Sequence, residues 1–391
     1  MKRAERNYLR SVYVNNFEIG DGDKQIDEGT YEVDKAYDSS GIVFLSEWFF
    51  DEKVHKYTGL NNKSFEFDNT IPTQYKFPDS NQELNKAIKD FHIKEGFFCN
   101  NSEIFITEGS TPMIASMVIF AKAYGFERIY SISPLYFNIF KVADLINIPI
   151  TPINKTLTAC NDELDLPREK SILFITDPIW SIGQHHPSEI MERLKKWQEK
   201  TGSLIFVDGS FAYTDWYSKE HKEPSSILDP ELTFRLICPT KTLALNGLRF
   251  SYLICPEEYK KELSRITCST IGSSSHYSFV LRPMMFEKMI GNKINPVGAF
   301  SKERFNQIKA LLEENNIEYF KPDCGFFMFA NIQDFFERND LFSKYMWIPN
   351  KGLDIFDEKL SGYAKLNLIM RGESFNRLKS DLEQCGPRRD K

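Results

Sequence analysis

Apolar residues recur along the middle of the chain in short runs, separated by amphipathic stretches. The runs predict strands at Glu103–Thr107, Arg128–Ile132, Ile148–Ile153, Ser171–Thr176, Ser203–Val207, Phe234–Cys238 and Arg249–Cys255. The stretches between them predict helices at Pro112–Tyr124, Asn138–Ile146 and Ser188–Lys200, the last capped by Ser188. The strands do not alternate polar and apolar positions, as a sheet with one face in water would. The pattern therefore predicts an α/β fold with a mostly parallel, doubly wound sheet.

The pattern differs at both ends of this alternating region, which predicts a division into three parts. Residues 1–70 show weak periodicity and predict an N-terminal arm that contributes to a small domain and covers the substrate. Residues 71–280, which open with a helical pattern over Leu84–Phe97, form the predicted large domain. Residues 281–391 predict a smaller α+β domain, with a helical stretch to about Asn316, strands at Gly325–Ile332 and Ala364–Ile369, and a last helix at Glu373–Gln384.

Composition and charge exclude several classes of function. The net charge of −6, with no basic run, argues against a nucleic-acid partner. No apolar stretch approaches the roughly 18 residues of a membrane span, and no apolar segment follows the charged N-terminus. The seven cysteines form no CxxC pair, which argues against a disulfide framework or a zinc site. We therefore expect a cytoplasmic enzyme without a metal or a membrane partner.

Three polar groups follow successive predicted strands in an order that suggests a cofactor site. Asp208 ends an apolar strand, where a carboxylate can pair with a protonated pyridine nitrogen, although a lone aspartate there is more often a turn or cap residue. Lys241 follows the next strand, at the edge where open α/β sheets bind ligands, and can form a Schiff base when it loses its proton. Arg249, eight residues later, can hold a phosphate with its planar fork. Together these residues favour pyridoxal 5′-phosphate (PLP).

The chain at this point resembles the fold-type I aminotransferases of class I and II, nearest in pattern to the histidinol-phosphate aminotransferase branch. The resemblance covers residues 70–391, so 71–280 would be the PLP-binding domain. Thr240-Lys241-Thr242, followed by Gly247-Leu248-Arg249, looks like the Ser-Lys-Thr and Gly-Leu-Arg signature of that family. The resemblance implies that Lys241 carries the cofactor, that Thr240 and Arg249 bind its phosphate, and that Asp208 pairs with its ring nitrogen.

Three further segments resemble cofactor contacts of the family. Gly109-Ser110-Thr111 looks like the phosphate cup, where backbone N–H groups at a helix start attract the anion. Tyr136, in Ser133-Pro134-Leu135-Tyr136, would stack on the pyridine ring. Tyr75 resembles the tyrosine that reaches a phosphate across the subunit interface, which implies a homodimer with shared active sites.

The sequence departs from the family around the phenolic oxygen (O3′) of the cofactor. Trp180 stands where the family has an asparagine, and Phe211 stands where it has a tyrosine, so both expected donors are replaced by apolar side chains. Core packing and altered chemistry are both open explanations. Tyr213, His185 and His186 are the candidates to compensate.

The residues expected to bind the substrate carboxylate also depart from the family. Lys365 stands where the family has an arginine, and a lysine binds a carboxylate as a point charge rather than with a planar fork. Arg371 is the alternative candidate, or else a surface arginine ahead of the last helix.

The resemblance implies an aminotransferase whose small-molecule substrate is an amino acid, its keto acid or a related amine. The departures suggest a specialised, secondary-metabolic substrate. A decarboxylase, an elimination or replacement lyase, or an aldolase on the same fold remains the alternative, because those reactions use the same Schiff base. A non-catalytic homologue is less favoured, because Lys241, Asp208 and Arg249 occur together.

Overall fold

The structure is a computed structural model, and it divides the described chain into two compact units. The first unit comprises residues 1–54, 181–183 and 300–391, and the second comprises 55–180 and 184–299. The residues that the structure describes are 17–18, 25–26, 43–46, 50–57, 77, 81–97, 101–155, 164–216, 223–291, 295–341, 344–346 and 362–385. The three-part division into 1–70, 71–280 and 281–391 stays a prediction.

The described strands and helices are numbered in chain order. The strands are β1 (Phe17–Glu18), β2 (Gln25–Ile26), β3 (Val43–Phe44), β4 (Ser102–Thr107), β5 (Ile129–Ile132), β6 (Ile150–Pro152), β7 (Ile172–Thr176), β8 (Leu204–Gly209), β9 (Thr233–Ile237), β10 (Ser251–Pro256), β11 (Tyr319–Phe320), β12 (Phe327–Ala330), β13 (Tyr345–Met346) and β14 (Ala364–Asn367). The α-helices are α1 (Gln82–Lys94), α2 (Ser110–Ala123), α3 (Phe137–Leu145), α4 (Ser188–Thr201), α5 (Pro239–Thr242), α6 (Lys260–Thr270), α7 (His276–Gly291), α8 (Pro296–Glu314), α9 (Gln333–Arg338) and α10 (Gly372–Cys385). Short 3-10 turns lie at Glu52–Tyr57, Pro224–Ile227, Asn246–Leu248 and Glu257–Tyr259.

The second unit is built on a seven-stranded sheet in the order β4-β10-β9-β8-β7-β5-β6. Strands β5 to β9 are parallel, and only β10 runs against its neighbours β4 and β9. Every residue of β7 and β8 is buried, because side chains on both sheet faces are covered. Phe174 and Phe206 pack on one face under α2, α3 and α6, whereas Ile175 and Val207 pack on the other with α4. The predicted α/β fold with a mostly parallel, doubly wound sheet is confirmed.

Several predicted boundaries differ from the structure. Pro187, rather than Ser188, occupies the N-cap of α4, where its restricted φ of −55° sets the direction of the chain, so the predicted serine cap was wrong. The helical stretch predicted to reach about Asn316 comprises two described helices, α7 and α8, and ends at Glu314.

The first unit contains a small antiparallel sheet, β11-β12-β14, and a parallel pair, β13-β3. A buried ion pair between Arg304 and Asp51 joins α8 to the segment after β3. The Arg304 guanidinium also lies 4.0 Å from the ring centre of Phe375 in α10. Because both charges are buried, each depends on the other for its stability. Among the described helices, none combines the length and the apolar character that crossing a membrane would require.

Candidate functional site

The predicted cofactor residues meet at one edge of the seven-stranded sheet. Parallel strands end at a common edge, so the segments after β4, β5, β7, β8 and β9 lie along the same edge of the sheet. Because β10 runs in the opposite direction, its beginning lies at the same edge. The residues brought to this edge are Gly109, Ser110, Thr111, Tyr136, Trp180, Asp208, Phe211, Thr240, Lys241 and Arg249. All ten belong to the second unit.

Lys241 lies in α5, directly after β9, and its amine is adapted to lose a proton. Burial, together with the positive charge of Arg249, lowers the pKa of Lys241 to about 8, although Cys238 and Asp208 act in the opposite direction. An amine with this pKa is partly neutral near neutral pH, which is the form that attacks a carbonyl carbon.

Asp208 is the penultimate residue of β8, and its carboxylate accepts hydrogen bonds from the residue two positions later. Both the backbone N–H and the hydroxyl of Ser210 donate to Asp208 Oδ1, at 3.1 and 2.5 Å. Burial raises the pKa of Asp208, while the Ser210 hydrogen bonds and the charge of Lys241 lower it. The carboxylate and the Lys241 amine are thus close enough to influence each other's ionisation.

Gly109 and Arg249 form a cradle at the start of α2. Gly109 adopts φ +85° and ψ 174°, a conformation open almost only to glycine. A Cβ added there would lie 2.7 Å from Cζ of Arg249, so the guanidinium packs against the bare backbone. Ser110 and Thr111 form the first turn of α2, where unpaired N–H groups and the helix dipole favour an anion. An exposed guanidinium above a helix start fits a phosphate group.

Comparison with known proteins gives the family. The sequence model of the family described as aminotransferase class I and II matches residues 63–348. The chain belongs to this family. Members of the family use PLP, so the family, the cofactor and the fold-type I architecture expected from the sequence are confirmed.

Individual relatives of the chain are distant. The chain is 28% identical over 204 residues to a histidinol-phosphate aminotransferase of Paramagnetospirillum magneticum, covering 50% of this chain and 53% of that protein. It is 21% identical over 178 residues to a probable aspartate/prephenate aminotransferase of Aquifex aeolicus, covering 44% of each. The matches thus span about half the length of these curated relatives. A putative kynurenine aminotransferase from Saccharomyces cerevisiae has the same fold, with a TM-score of 0.71 at 13% identity, covering 90% of this chain and 92% of that one.

Tyr136 connects the Gly109–Arg249 cradle to the aspartate. Its phenol hydrogen-bonds the side chain of Thr111, and the charges of Asp208 and Arg249 both act on it. Burial raises the pKa of Tyr136, so the phenol stays neutral. Trp180 meets its ring edge to face, with ring centres 5.9 Å apart at 80°. This position, between the cradle and Asp208, suits a side chain that covers one face of the cofactor ring.

The positions that face O3′ in the family carry Trp180 and Phe211, and both are buried. Treating both as apolar was too simple, because the tryptophan indole retains an N–H donor. The three residues considered as substitutes have other partners. The hydroxyl of Tyr213 lies 3.4 Å from Nδ1 of His92, and His186 Nε2 lies 3.1 Å from the carbonyl oxygen of Thr176. His185 lies between carboxylates, as described below.

Thr240 is buried, and its hydroxyl donates to the carbonyl oxygen of Phe250 at 3.2 Å. The hydroxyl also lies 3.3 Å from the sulfur of Cys238. This bond ties α5 to the start of β10, so Thr240 connects the lysine segment to the Arg249 segment. Its role in phosphate binding stays a prediction.

The remaining predicted residues lie outside this sheet edge. Tyr75 lies outside the described residues. Lys365 belongs to β14 of the first unit, where its side chain is fully buried and its Nζ lies 4.4 Å from the ring centre of Phe327. Arg371 is half-buried just before α10 of the same unit. Their roles in substrate binding stay predictions.

Sequence reasoning missed a buried group of charges around His185. Its Nδ1 lies 3.2 Å from Asp177 and its Nε2 lies 3.1 Å from Asp215, while Glu223 lies 3.9 Å from Nδ1. Burial alone would lower the pKa of His185, but the hydrogen bonds and negative charges of Asp177 and the other carboxylates raise it well above its usual value. Despite its own burial, Asp177 has a pKa lowered to about 2 by His185. Asp177 is close to His185 in the sequence, but Asp215 and Glu223 come from a later segment, so spacing in the sequence gives no sign of the whole group.

This group also offers the atoms of a metal site. Asp177, His185 and Glu223 each present one ligand atom, all within 4.8 Å of one another. Burial raises the pKa of Glu223 to about 7, although the charge of His185 opposes this effect. A protonated imidazole between carboxylates already supplies the positive charge that a cation would supply. We therefore interpret the group as an ion-pair network.

The cradle gives the first testable prediction. Replacing Gly109 with alanine should weaken PLP binding about 5- to 100-fold, because the methyl group strains the backbone and displaces Arg249. A fluorescence titration of the cofactor-free protein measures this affinity. Gly125→Ala is the matched control, since Gly125 has φ +99° but open space around it. Equal affinity in wild type and Gly109→Ala would contradict the role of the cradle.

The ion-pair network gives a second prediction, for stability. His185→Gln should destabilise the fold by about 3–5 kcal/mol, because buried carboxylates lose their counter-charge. Folding raises the pKa of His185, so its contribution is complete below about pH 6.5 and is lost as the pH rises through the folded-state pKa. Asp177 contributes in the opposite sense, since its lowered pKa gives stability above about pH 4 that is lost towards pH 2. The destabilisation caused by His185→Gln should therefore be largest between about pH 4 and 6.5.

Urea unfolding of the wild type and of His185→Gln across this pH range measures the difference in their free energies of unfolding. His186→Gln is the control, because burial lowers the pKa of His186 and glutamine can donate the same bond to Thr176. A loss for His185→Gln no greater than for His186→Gln would show that the imidazole is not a counter-ion.

Proposed function

We propose that the protein is a PLP-dependent aminotransferase that acts on an amino acid or a related amine. The single observation that carries the proposal is the meeting of three groups at one sheet edge. These groups are the Lys241 amine with its lowered pKa, the Asp208 carboxylate, and the Gly109–Arg249 cradle. Each performs a different task that PLP chemistry requires.

In this proposal, each residue of this sheet edge has a different role. Arg249 and the N–H groups of Ser110 and Thr111 bind the phosphate, and Tyr136 covers one face of the ring. Asp208 keeps a proton on the ring nitrogen. PLP, when bound, supplies the aldehyde and the electron-withdrawing ring. The Lys241 amine would serve as the acid–base group that removes a proton from Cα of the substrate.

The substrate is proposed to be a specialised amino acid or amine. Trp180 and Phe211 change the environment of O3′, and Lys365 is buried where the family pattern has a substrate arginine. The relatives named above act, by their names, on aspartate or prephenate, histidinol phosphate and kynurenine. The low identity to all of them supports a substrate distinct from theirs.

The assembly and location of the protein belong to the same proposal. The likeness of Tyr75 to a family residue that crosses the subunit interface supports a homodimer with shared sites. The net charge and the free thiols of Cys238, Cys255, Cys268, Cys324 and Cys385 support a cytoplasmic protein. Light scattering of the PLP-loaded protein tests the dimer.

An amino-donor screen tests the reaction. The PLP-loaded protein is incubated with single amino acids or amines and a keto-acid acceptor, and keto product, CO₂ and ammonia are measured in parallel. Keto product matched by aminated acceptor supports transamination. CO₂ or ammonia without keto product would identify the alternative, a decarboxylase or a lyase. A protein that binds no PLP would overturn both.

A further inference from the structure

Ser210 makes two hydrogen bonds to a single oxygen of the aspartate. Its backbone N–H and its hydroxyl both donate to Oδ1 of Asp208, at 3.1 and 2.5 Å. The serine is itself 5% exposed, so water competes little for these bonds. Two converging donors fix both the rotation of the carboxylate and the identity of the engaged oxygen. The other oxygen, Oδ2, is the one that neither Ser210 donor reaches.

A buried aspartate needs such donors to stay charged. Burial alone favours the protonated form, which would donate a hydrogen bond to the ring nitrogen instead of holding a proton there. The bonds from Ser210 act against burial, as does the charge of Lys241. The charge of Lys241 is not constant, because a Schiff-base lysine gives up its own proton. The hydrogen bonds from Ser210 therefore stabilise the ionised form of Asp208 even when Lys241 is neutral.

This support matters more in the present chain than in one with two O3′ donors. Phe211 carries no hydrogen-bond donor where the family has a tyrosine, so less of the charge on the phenolic oxygen is held by hydrogen bonds. The electron demand of the ring then depends more strongly on the proton at its nitrogen. That proton depends on Asp208 being ionised.

We propose that Ser210 is a positioning residue that keeps Asp208 ionised and directs Oδ2 to the ring nitrogen. In this way Ser210 sets the electron-withdrawing strength of the bound cofactor. The inference rests on the proposed use of PLP at this edge and extends it to a residue that the family signature does not include.

The test compares Ser210→Ala with Ser210→Thr, which keeps a hydroxyl. In Ser210→Ala the acid limb of the kcat–pH profile should move up by about one to two pH units, because Asp208 takes up a proton more readily. At neutral pH, kcat should fall about 10- to 100-fold with little change in KM. Ser210→Thr should restore most of both. Ser116→Ala, which removes another buried hydroxyl that bonds to Thr270, is the control for general loss of packing.

A second readout does not depend on turnover. PLP labelled with ¹⁵N at the ring reports by NMR whether that nitrogen is protonated. Ser210→Ala should shift the signal towards the unprotonated form at neutral pH, whereas Ser210→Thr and Ser116→Ala should match the wild type. If Ser210→Ala does not fold, the near-isosteric Ser210→Cys, a weak donor, takes its place in both measurements.

The outcomes separate this inference from the proposed function. An unchanged pH profile and an unchanged ¹⁵N signal in Ser210→Ala would overturn the role of Ser210 while leaving transamination intact. A wild type that binds PLP without transaminating would overturn the proposed reaction, yet the ¹⁵N signal would still test Ser210. If Ser210→Thr shows the same pH shift as Ser210→Ala, the effect comes from packing rather than from the hydroxyl, and the inference is also overturned.

Discussion

Lys241→Ala is expected to abolish the visible absorbance of the PLP-loaded protein and to reduce transamination by about 10²–10⁴-fold or more. The absorbance arises from the bond between the lysine amine and the cofactor aldehyde, and alanine cannot form it. The same side chain serves as the acid–base group, and removal of such a group costs about 10²–10⁴-fold in rate. Burial lowers the pKa of Lys241 to about 8, so the wild-type band should form readily near neutral pH.

Absorbance spectra and single-turnover assays of the reconstituted variant measure both effects. Lys241→Arg keeps the positive charge but cannot form the bond, so it should lose the band as well. Lys260→Ala removes a half-exposed lysine paired with Glu103 and should behave like wild type. Retention of the visible band in Lys241→Ala would place the cofactor linkage elsewhere.

Asp208→Asn is expected to lower kcat by about 10²–10³-fold while the protein still binds PLP. Asparagine keeps the shape and can still accept from Ser210, but it carries no charge to hold a proton on the ring nitrogen. Loss of one preorganised electrostatic group costs rates of this order. The Gly109–Arg249 cradle is untouched, so the affinity for the cofactor should fall far less than kcat.

Steady-state kinetics and a cofactor titration of Asp208→Asn separate the two quantities. Asp229→Asn is a matched control, because Asp229 accepts a backbone N–H two residues later in a surface turn, much as Asp208 does. A variant with wild-type kcat would mean that Asp208 is only a turn residue, which was the simpler reading of its position.

Much of the fold follows from the sequence because it depends on local patterns. The unbroken apolar runs at Ile172–Thr176 and Leu204–Gly209 require cover on both faces, and that requirement alone favours a parallel sheet. Boundaries were less predictable. Ser188 has the side chain of a typical cap, but Pro187 occupies the N-cap position, because the path of the preceding chain determines where the helix begins.

The candidate site was predictable where its residues follow strands and not where loops meet. Asp208, Lys241 and Arg249 could be connected because strand order brings the ends of neighbouring strands together. The group around His185 could not, because Asp215 and Glu223 approach it only through the tertiary path of their loops. The hydrogen bonds of Ser210 are local, yet nothing in the residue type distinguishes a hydroxyl that contacts Asp208 from one that faces water.

The position of β10 has a consequence for synthesis on the ribosome. Its first residue, Ser251, pairs with Thr107 at the end of β4, a partner 144 positions earlier in the chain. Gly109 and Arg249 flank this pair, so the ribosome synthesises the two halves of the cradle at widely separated times. A nascent chain can begin to fold its parallel strands as they emerge, but the Gly109–Arg249 cradle is complete only after β10 has left the exit tunnel. If the cradle binds phosphate as proposed, we expect PLP to bind late in synthesis and a chain truncated before residue 249 to bind it more weakly than the full chain.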